Sequence, residues 1–214
     1  MKPILFNTEQ VRNILDGRKT NTRRPIKQSG WLERPLSREK DGSVWFATNR
    51  YTQFCCKPLY KRGDILYVRE AWAREECQSC LSGITPSVVY CQCRYVYKAG
   101  GERHIKWHPS IHMPKEAARI FLKVTDVRVD RLQNITEEDA IKEGETGVRC
   151  ECLHKELGGG MYGCTDCMNT GWLEPPTMYF MYDWNAIYAR RGYSWEANPW
   201  VWVYEFEQMK GEQG

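Results

Sequence analysis

The chain has 214 residues and a mass of 25.2 kDa, and 42% of its residues are hydrophobic and 27% charged. This balance is typical of a globular protein and argues against a disordered chain. The net charge of +4 at pH 7 permits a nucleic-acid partner but does not require one. We expect a single domain over residues 1–214, long enough for one sizeable core that carries insertions.

No segment has the pattern of an export signal or a membrane span. The first ten residues, MKPILFNTEQ, contain no long apolar run, and no later segment approaches eighteen consecutive apolar residues. We therefore predict a cytoplasmic protein without a membrane partner. Ten cysteines would stay reduced in that compartment, which favours metal-binding thiolates over disulfides.

The first predicted element is a short helix over residues 8–17, TEQVRNILDG. Thr8 is its expected N-cap, and Gly17 is expected to end it. The next stretch, KTNTRR, is predicted to be extended as far as Pro25. In a regular strand, Lys19 and Thr22 would lie on opposite faces, so their approach would require a bend or a bulge.

Later elements follow from apolar spacing and turn residues. Alternating or continuous apolar positions predict strands, while a Thr136 cap and a terminal Gly144 mark one of two helices. Strands are predicted over 62–72, 118–132 and 199–209, and helices over 135–145 and 178–192. Strands mixed with short helices predict an α+β fold, built as a small twisted β-barrel that is decorated by helices.

Eight cysteines occur as two sets of short pairs within two predicted insertions, at about 75–95 and 146–177. The sets are Cys77, Cys80, Cys91 and Cys93, and then Cys150, Cys152, Cys164 and Cys167. Two chelating pairs suit tetrahedral zinc, and a closed four-sulfur shell would be structural. We expect one or two structural Zn²⁺ sites. Two alternatives are pairs exchanged between the insertions, and reduced thiols that bind no metal. Cys55 and Cys56 are adjacent and fit buried or free thiols better.

Four motifs resemble, in their order, the ASCH domain of the PUA-like superfamily. They are ILDGRKTNTRR, RGDILYVRE, KVTDVRVDRLQNITEEDAIKEG and the terminal WVWVYEFE. Phage and prophage members are especially similar, with counterparts of KPILFNTE, WHPSIHMPKEAARIFLKVTDVRVDRL and ANPWVWVYEFE. The resemblance covers the chain apart from the two cysteine-rich segments and much of 27–57. It implies a PUA-like β-barrel with a cleft, and recognition of RNA or a nucleobase.

One class within this family acts as an amidohydrolase on N4-acetylcytidine and shares the GRKTxTxR pattern. When the residue pattern of that class is mapped onto this sequence, it implies three catalytic residues, Lys19, Thr22 and Glu143. A threonine hydroxyl needs a neighbouring base, and a lysine serves as one when burial or nearby cations lower its pKa. A carboxylate could then return a proton to the departing amine. The alternative without catalysis is that the basic residues form a solvated surface, that Thr22 is an ordinary strand residue, and that Glu143 is one of several helix carboxylates.

Further candidates would bind the substrate. Arg18, Arg23 and Arg24 would hold its phosphates, since TRR replaces the family's single arginine and favours a phosphate-bearing substrate. Glu70 ends a predicted strand, where its alternative role is a pair with Arg69. Trp107 could stack on a base or simply cover the core. Three histidines nearby, His104, His108 and His112, have helical spacing, but Pro109 breaks such a helix, which argues against a metal site.

Two functions of different classes remain open. The chain could be a hydrolase that removes an acyl group from a modified nucleobase, or that cleaves RNA. Alternatively, it could be a non-catalytic reader of RNA or modified nucleic acid, whose arginines hold phosphates while aromatic residues hold a base. Affinity that falls steeply with salt would indicate the reader.

Overall fold

The computed structural model describes residues 1–27, 29–48, 51–76, 93–101, 106–151, 168 and 170–209. Within them the chain is an α+β protein, rich in strands. Its strands are β1 (Lys2–Leu5), β2 (Asn21–Pro25), β3 (Arg34–Arg38), β4 (Val44–Ala47), β5 (Gln53–Cys56), β6 (Ile65–Arg69), β7 (Trp72–Glu75), β8 (Arg94–Tyr97), β9 (Phe121–Arg131), β10 (Val148–Arg149), β11 (Trp172–Glu174) and β12 (Trp200–Gln208). Its α-helices are α1 (Thr8–Leu15), α2 (Glu137–Lys142) and α3 (Pro176–Tyr188). All the predicted elements lie within four residues of these bounds.

The chain divides into two compact units, each assembled from separate stretches of sequence. The first comprises Met1–Gly17, Arg62–Val124 and Phe206–Gly214, and the second Arg18–Lys61 and Thr125–Glu205. Strands β9 and β12 contribute residues to both units.

In the first unit, β1 pairs in parallel with β6, and β6 pairs antiparallel with the start of β9. The alternation expected around β9 is confirmed, because Ile120, Leu122 and Val124 are all buried. Helix α1 differs from the prediction at its start. Its N-cap is Asn7 rather than Thr8, because the side chains and backbones of Asn7 and Gln10 bond reciprocally in a capping box. A cap at Thr8 would place Val11 at the reciprocal position, where no side-chain acceptor exists. Gly17 follows the helix with a positive φ of 72°, as predicted.

In the second unit, β12 pairs antiparallel with β2, and β3, β4 and β5 form a separate three-stranded sheet. Helix α3 packs on β12 through a buried apolar cluster. Its members are Leu132, Ile135, Ala140, Phe180, Trp184, Tyr188, Val201 and Val203. The spacing predicted for α3 is confirmed, since Phe180, Trp184 and Tyr188 are buried and Ile187 packs against them.

No sheet among the described residues closes into a barrel. In the first unit β1 is an edge strand beside β6, and in the second β2 is an edge strand beside β12. The α+β class is therefore as predicted, whereas the predicted closure is not seen, since an edge strand with one partner leaves a row of backbone groups outside the ladder. No described helix combines the length and apolar character needed to cross a membrane.

Each cysteine-rich segment leaves and rejoins the fold at a two-stranded antiparallel ladder. Glu75 pairs with Arg94 across β7 and β8, and Arg149 pairs with Trp172 across β10 and β11. The flanks of each segment thus lie side by side, which favours zinc ligands paired within one segment over exchanged pairs. Six of the predicted ligands, Cys77, Cys80, Cys91, Cys152, Cys164 and Cys167, lie outside the described residues, and so does His104. Cys93 and Cys150 are half-buried. No described group of three or more His, Cys, Asp or Glu is arranged to hold a metal, and the zinc sites stay predictions.

Tyr204 gives a test of this packing in alkaline solution. It is 1% exposed, its hydroxyl accepts the Leu59 N–H at 3.1 Å, and burial raises its pKa to about 12. Because the unfolded tyrosine titrates near pH 10, this buried phenol stabilises the fold below pH 10, and the contribution of about 2–3 kcal/mol is lost between pH 10 and 12. We expect Tyr204→Phe to reduce this alkaline loss, measured by urea unfolding at pH 8 and pH 11.5. An identical free-energy difference between variant and wild type at both pH values would contradict this.

Candidate functional site

The segment that opens the GRKTNTRR motif closes the carboxyl end of α2. Three consecutive residues supply donors to three consecutive carbonyl oxygens: Arg18 Nη1 to Gly144 at 3.3 Å, Lys19 Nζ to Glu143 at 2.8 Å, and the Thr20 amide to Lys142 at 2.8 Å. The last carbonyls of a helix have no partners within it and carry partial negative charge. Two cations at this end therefore stabilise α2 and fix Lys19 against it. Gly144, with a φ of 101°, turns the chain away from the helix as predicted.

Lys19 and Glu143 form a buried ion pair. Lys19 Nζ lies 2.6 Å from Glu143 Oε2, and the two residues are only 2% and 4% exposed. Because they are 124 positions apart in sequence, their contact is a product of the fold and not of local structure. The structure thus brings together two of the three predicted catalytic residues.

The pKa of Lys19 is lowered from its ordinary value, chiefly because burial penalises the charged ammonium. The Glu143 carboxylate and its hydrogen bond oppose this effect, while the positive charge of Arg24 reinforces it. A lysine with a lowered pKa gives up its proton more readily and can act as a base. The nearby carboxylate offers that proton a second acceptor.

The pair belongs to a larger chain of alternating charges. Arg23 contacts Glu143 Oε1 at 3.2 Å and also binds Asp139. Asp139 accepts from Arg128 at 2.9 Å, and Arg128 binds Glu205. The network holds three cations and three carboxylates, so its formal charges cancel. Arg23 is 2% exposed, and both of its terminal nitrogens bind carboxylates inside the protein, which argues against the phosphate-binding role predicted for it.

Strand β2 presents two different faces. Its regular pairing with β12 sets Asn21 opposite Glu205 and Arg23 opposite Val203, whereas Thr22 is opposite Tyr204. Since neighbouring strand residues alternate, Thr22 lies on the face opposite to Asn21 and Arg23. Thr22 is 1% exposed, so it is buried like the residues on either side of it.

Arg24, the next residue of β2, contacts helix α3. Arg24 shares the face of Thr22, yet its Nη1 reaches the Tyr188 hydroxyl of α3 at 3.2 Å. Tyr188 packs in the cluster that contains Val203, which belongs to the other face. Residues 18–20 belong to no helix or strand, so the alternation of β2 does not extend to Lys19.

Asn21 is a residue that the sequence interpretation missed. It is 0% exposed, and neither its Oδ1 nor its Nδ2 has a hydrogen-bond partner among the described residues. The buried Nε of Arg23 lacks one as well. Buried polar groups are nearly always hydrogen-bonded, so such a cluster requires a specific explanation. The only sequence signal was an amide within a strand of otherwise β-branched and basic residues.

Glu70 and Trp107 lie in the first unit, whereas the other predicted catalytic and substrate-binding residues lie in the second. Glu70 is 1% exposed and is bound bidentately by Arg119, at 2.9 and 3.0 Å, with Arg119 over the Tyr97 ring. The alternative pair with Arg69 is therefore wrong. Adjacent residues on an extended chain point to opposite sides, and Arg69 donates instead to the Ile111 carbonyl. Trp107 is half-buried.

Comparisons with protein-family models, with curated proteins and with solved structures give no significant match. The chemistry proposed below therefore depends on the side chains of the site and on the resemblance of the motifs.

Proposed function

We propose that the protein is a hydrolase that removes an acyl group from an acylated nucleobase of the N4-acetylcytidine type. The observation that carries this proposal is the fully buried Lys19, whose pKa is lowered and whose ammonium lies 2.6 Å from the Glu143 carboxylate. A buried lysine and carboxylate in contact are suited to passing a proton between them. The ASCH resemblance implies the substrate class.

Lys19 would act in its neutral form. Its Nζ takes the proton of the Thr22 hydroxyl as the oxygen attacks the acyl carbonyl carbon. The C–N bond then breaks, and the departing exocyclic nitrogen receives a proton that Glu143 relays from Lys19. A water molecule hydrolyses the acyl-threonine ester, which releases the carboxylic acid and restores both residues.

The charge balance of the network favours this hydrolase over a non-catalytic reader of phosphates. A reader requires cations that are exposed to the nucleic-acid backbone. Arg23 is buried and binds two carboxylates, so one of the three proposed phosphate contacts is already occupied. A site with cancelling charges suits a neutral nucleoside better. The same argument weighs against a ribonuclease.

The hydroxyl of Thr22 is tested by replacing Thr22 with valine, which keeps the shape of the side chain. We expect release of cytidine from N4-acetylcytidine, followed by chromatography, to fall about a hundredfold, because a water molecule can replace the lost nucleophile only inefficiently.

The matched control is Thr20→Val, since Thr20 is exposed and only two positions away. It is expected to keep the wild-type rate. Equal rates for Thr22→Val and Thr20→Val would exclude Thr22 as the nucleophile, and a wild-type protein that releases no cytidine would refute this substrate class.

A further inference from the structure

We propose that Asn21 is a binding residue that reads the hydrogen-bonding edge of a pyrimidine base, next to the Lys19–Glu143 pair. The inference deepens the proposed function and depends on it for the class of substrate. It starts from the Asn21 amide, which is completely buried and has no hydrogen-bond partner among the described residues.

Asn21 shares one face of β2 with a cation that binds Glu143. Arg23, two residues along β2 and therefore on the same face, contacts the Glu143 carboxylate at 3.2 Å. Lys19, two residues before Asn21, contacts that carboxylate at 2.6 Å. Asn21 thus lies in sequence between the two cations that hold Glu143. The Glu143 carboxylate is bound by both cations, whereas the Asn21 amide between them has no partner among the described residues.

The chemistry of the amide defines what it can bind. Its Oδ1 accepts a hydrogen bond and its Nδ2 donates, side by side and in one plane. The complementary ligand presents a donor beside an acceptor, also in one plane. The edge of cytosine formed by N3 and the exocyclic N–H has this arrangement, and acylation leaves that N–H in place. The buried Arg23 Nε offers a further donor to the same ligand.

A structural role does not account for the amide. An asparagine that stabilises a fold is bonded to it, as Asn185 is in accepting the Trp195 N–H at 2.7 Å. Asn21 has no such bond, and its burial opposes folding without a compensating contact.

The test uses the full chain and two neutral probes, cytidine and 3-deazacytidine, in which C–H replaces N3. Calorimetric titration is expected to show that Asn21→Val and Asn21→Ala bind cytidine about ten- to a hundredfold more weakly than wild type. For 3-deazacytidine both variants are expected to lose less affinity relative to wild type than they do for cytidine, since the acceptor that pairs with the amide N–H is gone while the exocyclic N–H can still bond to Oδ1.

Thermal unfolding separates this role from a structural one. The melting temperature of Asn21→Val is expected to equal or exceed that of wild type. The matched control, Asn185→Ala, should melt lower and bind cytidine as wild type does. Asn21→Val would thus weaken cytidine binding without lowering the melting temperature, whereas Asn185→Ala would lower the melting temperature without weakening binding.

The proposal is overturned if wild type does not bind cytidine, or if Asn21→Val and Asn21→Ala bind it as tightly as wild type does. Its failure is distinguishable from that of the hydrolase. Binding that depends on Asn21 without release of cytidine from N4-acetylcytidine supports the inference and refutes the reaction. Normal turnover of N4-acetylcytidine, together with a cytidine affinity that substitution of Asn21 does not change, supports the reaction and refutes the inference.

Discussion

Replacing Glu143 with alanine is expected to lower the free energy of unfolding by about 3–5 kcal/mol. The carboxylate is buried and is the common partner of Lys19 and Arg23, at 2.6 and 3.2 Å. Its removal leaves one buried ammonium without its counter-ion and takes one of two carboxylates from a buried guanidinium. Uncompensated charge in a site of low polarity is among the few causes of so large a loss.

Two further variants test this explanation in urea unfolding. Lys19→Met is expected to cost less than Glu143→Ala, because Arg23 still neutralises the carboxylate. The double variant Lys19→Met/Glu143→Ala is expected to be more stable than the sum of the single losses predicts, since it removes both members of the pair.

The matched control is Glu138→Ala, an exposed carboxylate in the first turn of the same helix. Only the modest contribution of an acid near a helix amino terminus is expected to be lost there, about 0.3–1 kcal/mol. If Glu143→Ala costs no more than Glu138→Ala, the carboxylate is not the buried counter-ion described above.

Local patterns predicted most of the elements because their causes are local. The stops at Gly17 and Gly144 follow from a positive φ at each position, and Thr136 caps α2 by accepting the Asp139 N–H at 3.1 Å. The alternation around β9 and the spacing of α3 reflect burial of one side of each element. The misplaced cap of α1 shows the limit of such reasoning, since Asn7 and Thr8 are both good caps and only Gln10 distinguishes them.

The partners within the site could not be predicted in the same way. Lys19 and Glu143 were associated through motif resemblance, not through their spacing. Asp139 lies in the first turn of α2, where any acid is favoured, yet it also binds Arg23 and Arg128. Ion pairs between distant segments depend on sheet register, which composition does not fix.

The arginines illustrate a related difficulty. A basic run has the same composition whether its cations face solvent or carboxylates from elsewhere in the chain. Arg18 is exposed, Arg23 is buried among acids, and Arg24 is half-buried against Tyr188. The three residues predicted to act alike therefore occupy three environments, which only the fold distinguishes.

Lys19→Met is expected to reduce kcat/KM for N4-acetylcytidine by about 10³–10⁴-fold, the upper range for loss of a general base. Because burial lowers the pKa of Lys19, the wild-type kcat/KM should rise with pH as the ammonium loses its proton, and should level off below pH 10.5. The variant should show no such rise. A parallel profile for wild type and Lys19→Met would show that another group is being titrated.

Lys19→Arg separates catalysis from charge. A guanidinium can keep the ion pair with Glu143 but stays protonated at every accessible pH, so it can support folding and not proton abstraction. We expect Lys19→Arg to be more stable than Lys19→Met in urea yet equally slow. Recovery of activity in Lys19→Arg to within tenfold of wild type would mean that position 19 contributes only a positive charge.

The stability of the wild type provides an independent check on the pKa of Lys19. A lysine whose pKa is lower in the folded state than the ordinary 10.5 binds its proton more tightly when the chain is unfolded. Between the two values the unfolded state holds more protons, so the free energy of unfolding rises with pH across that window. The unfolding free energy of Lys19→Met, measured against pH, keeps the opposite alkaline trend of Tyr204 but lacks the contribution of Lys19. Subtracting it from the wild-type values therefore leaves the rise due to Lys19. A difference that is flat from pH 7 to 10.5 would mean that burial leaves the Lys19 ammonium as basic as it is in water, and unsuited to act as the base.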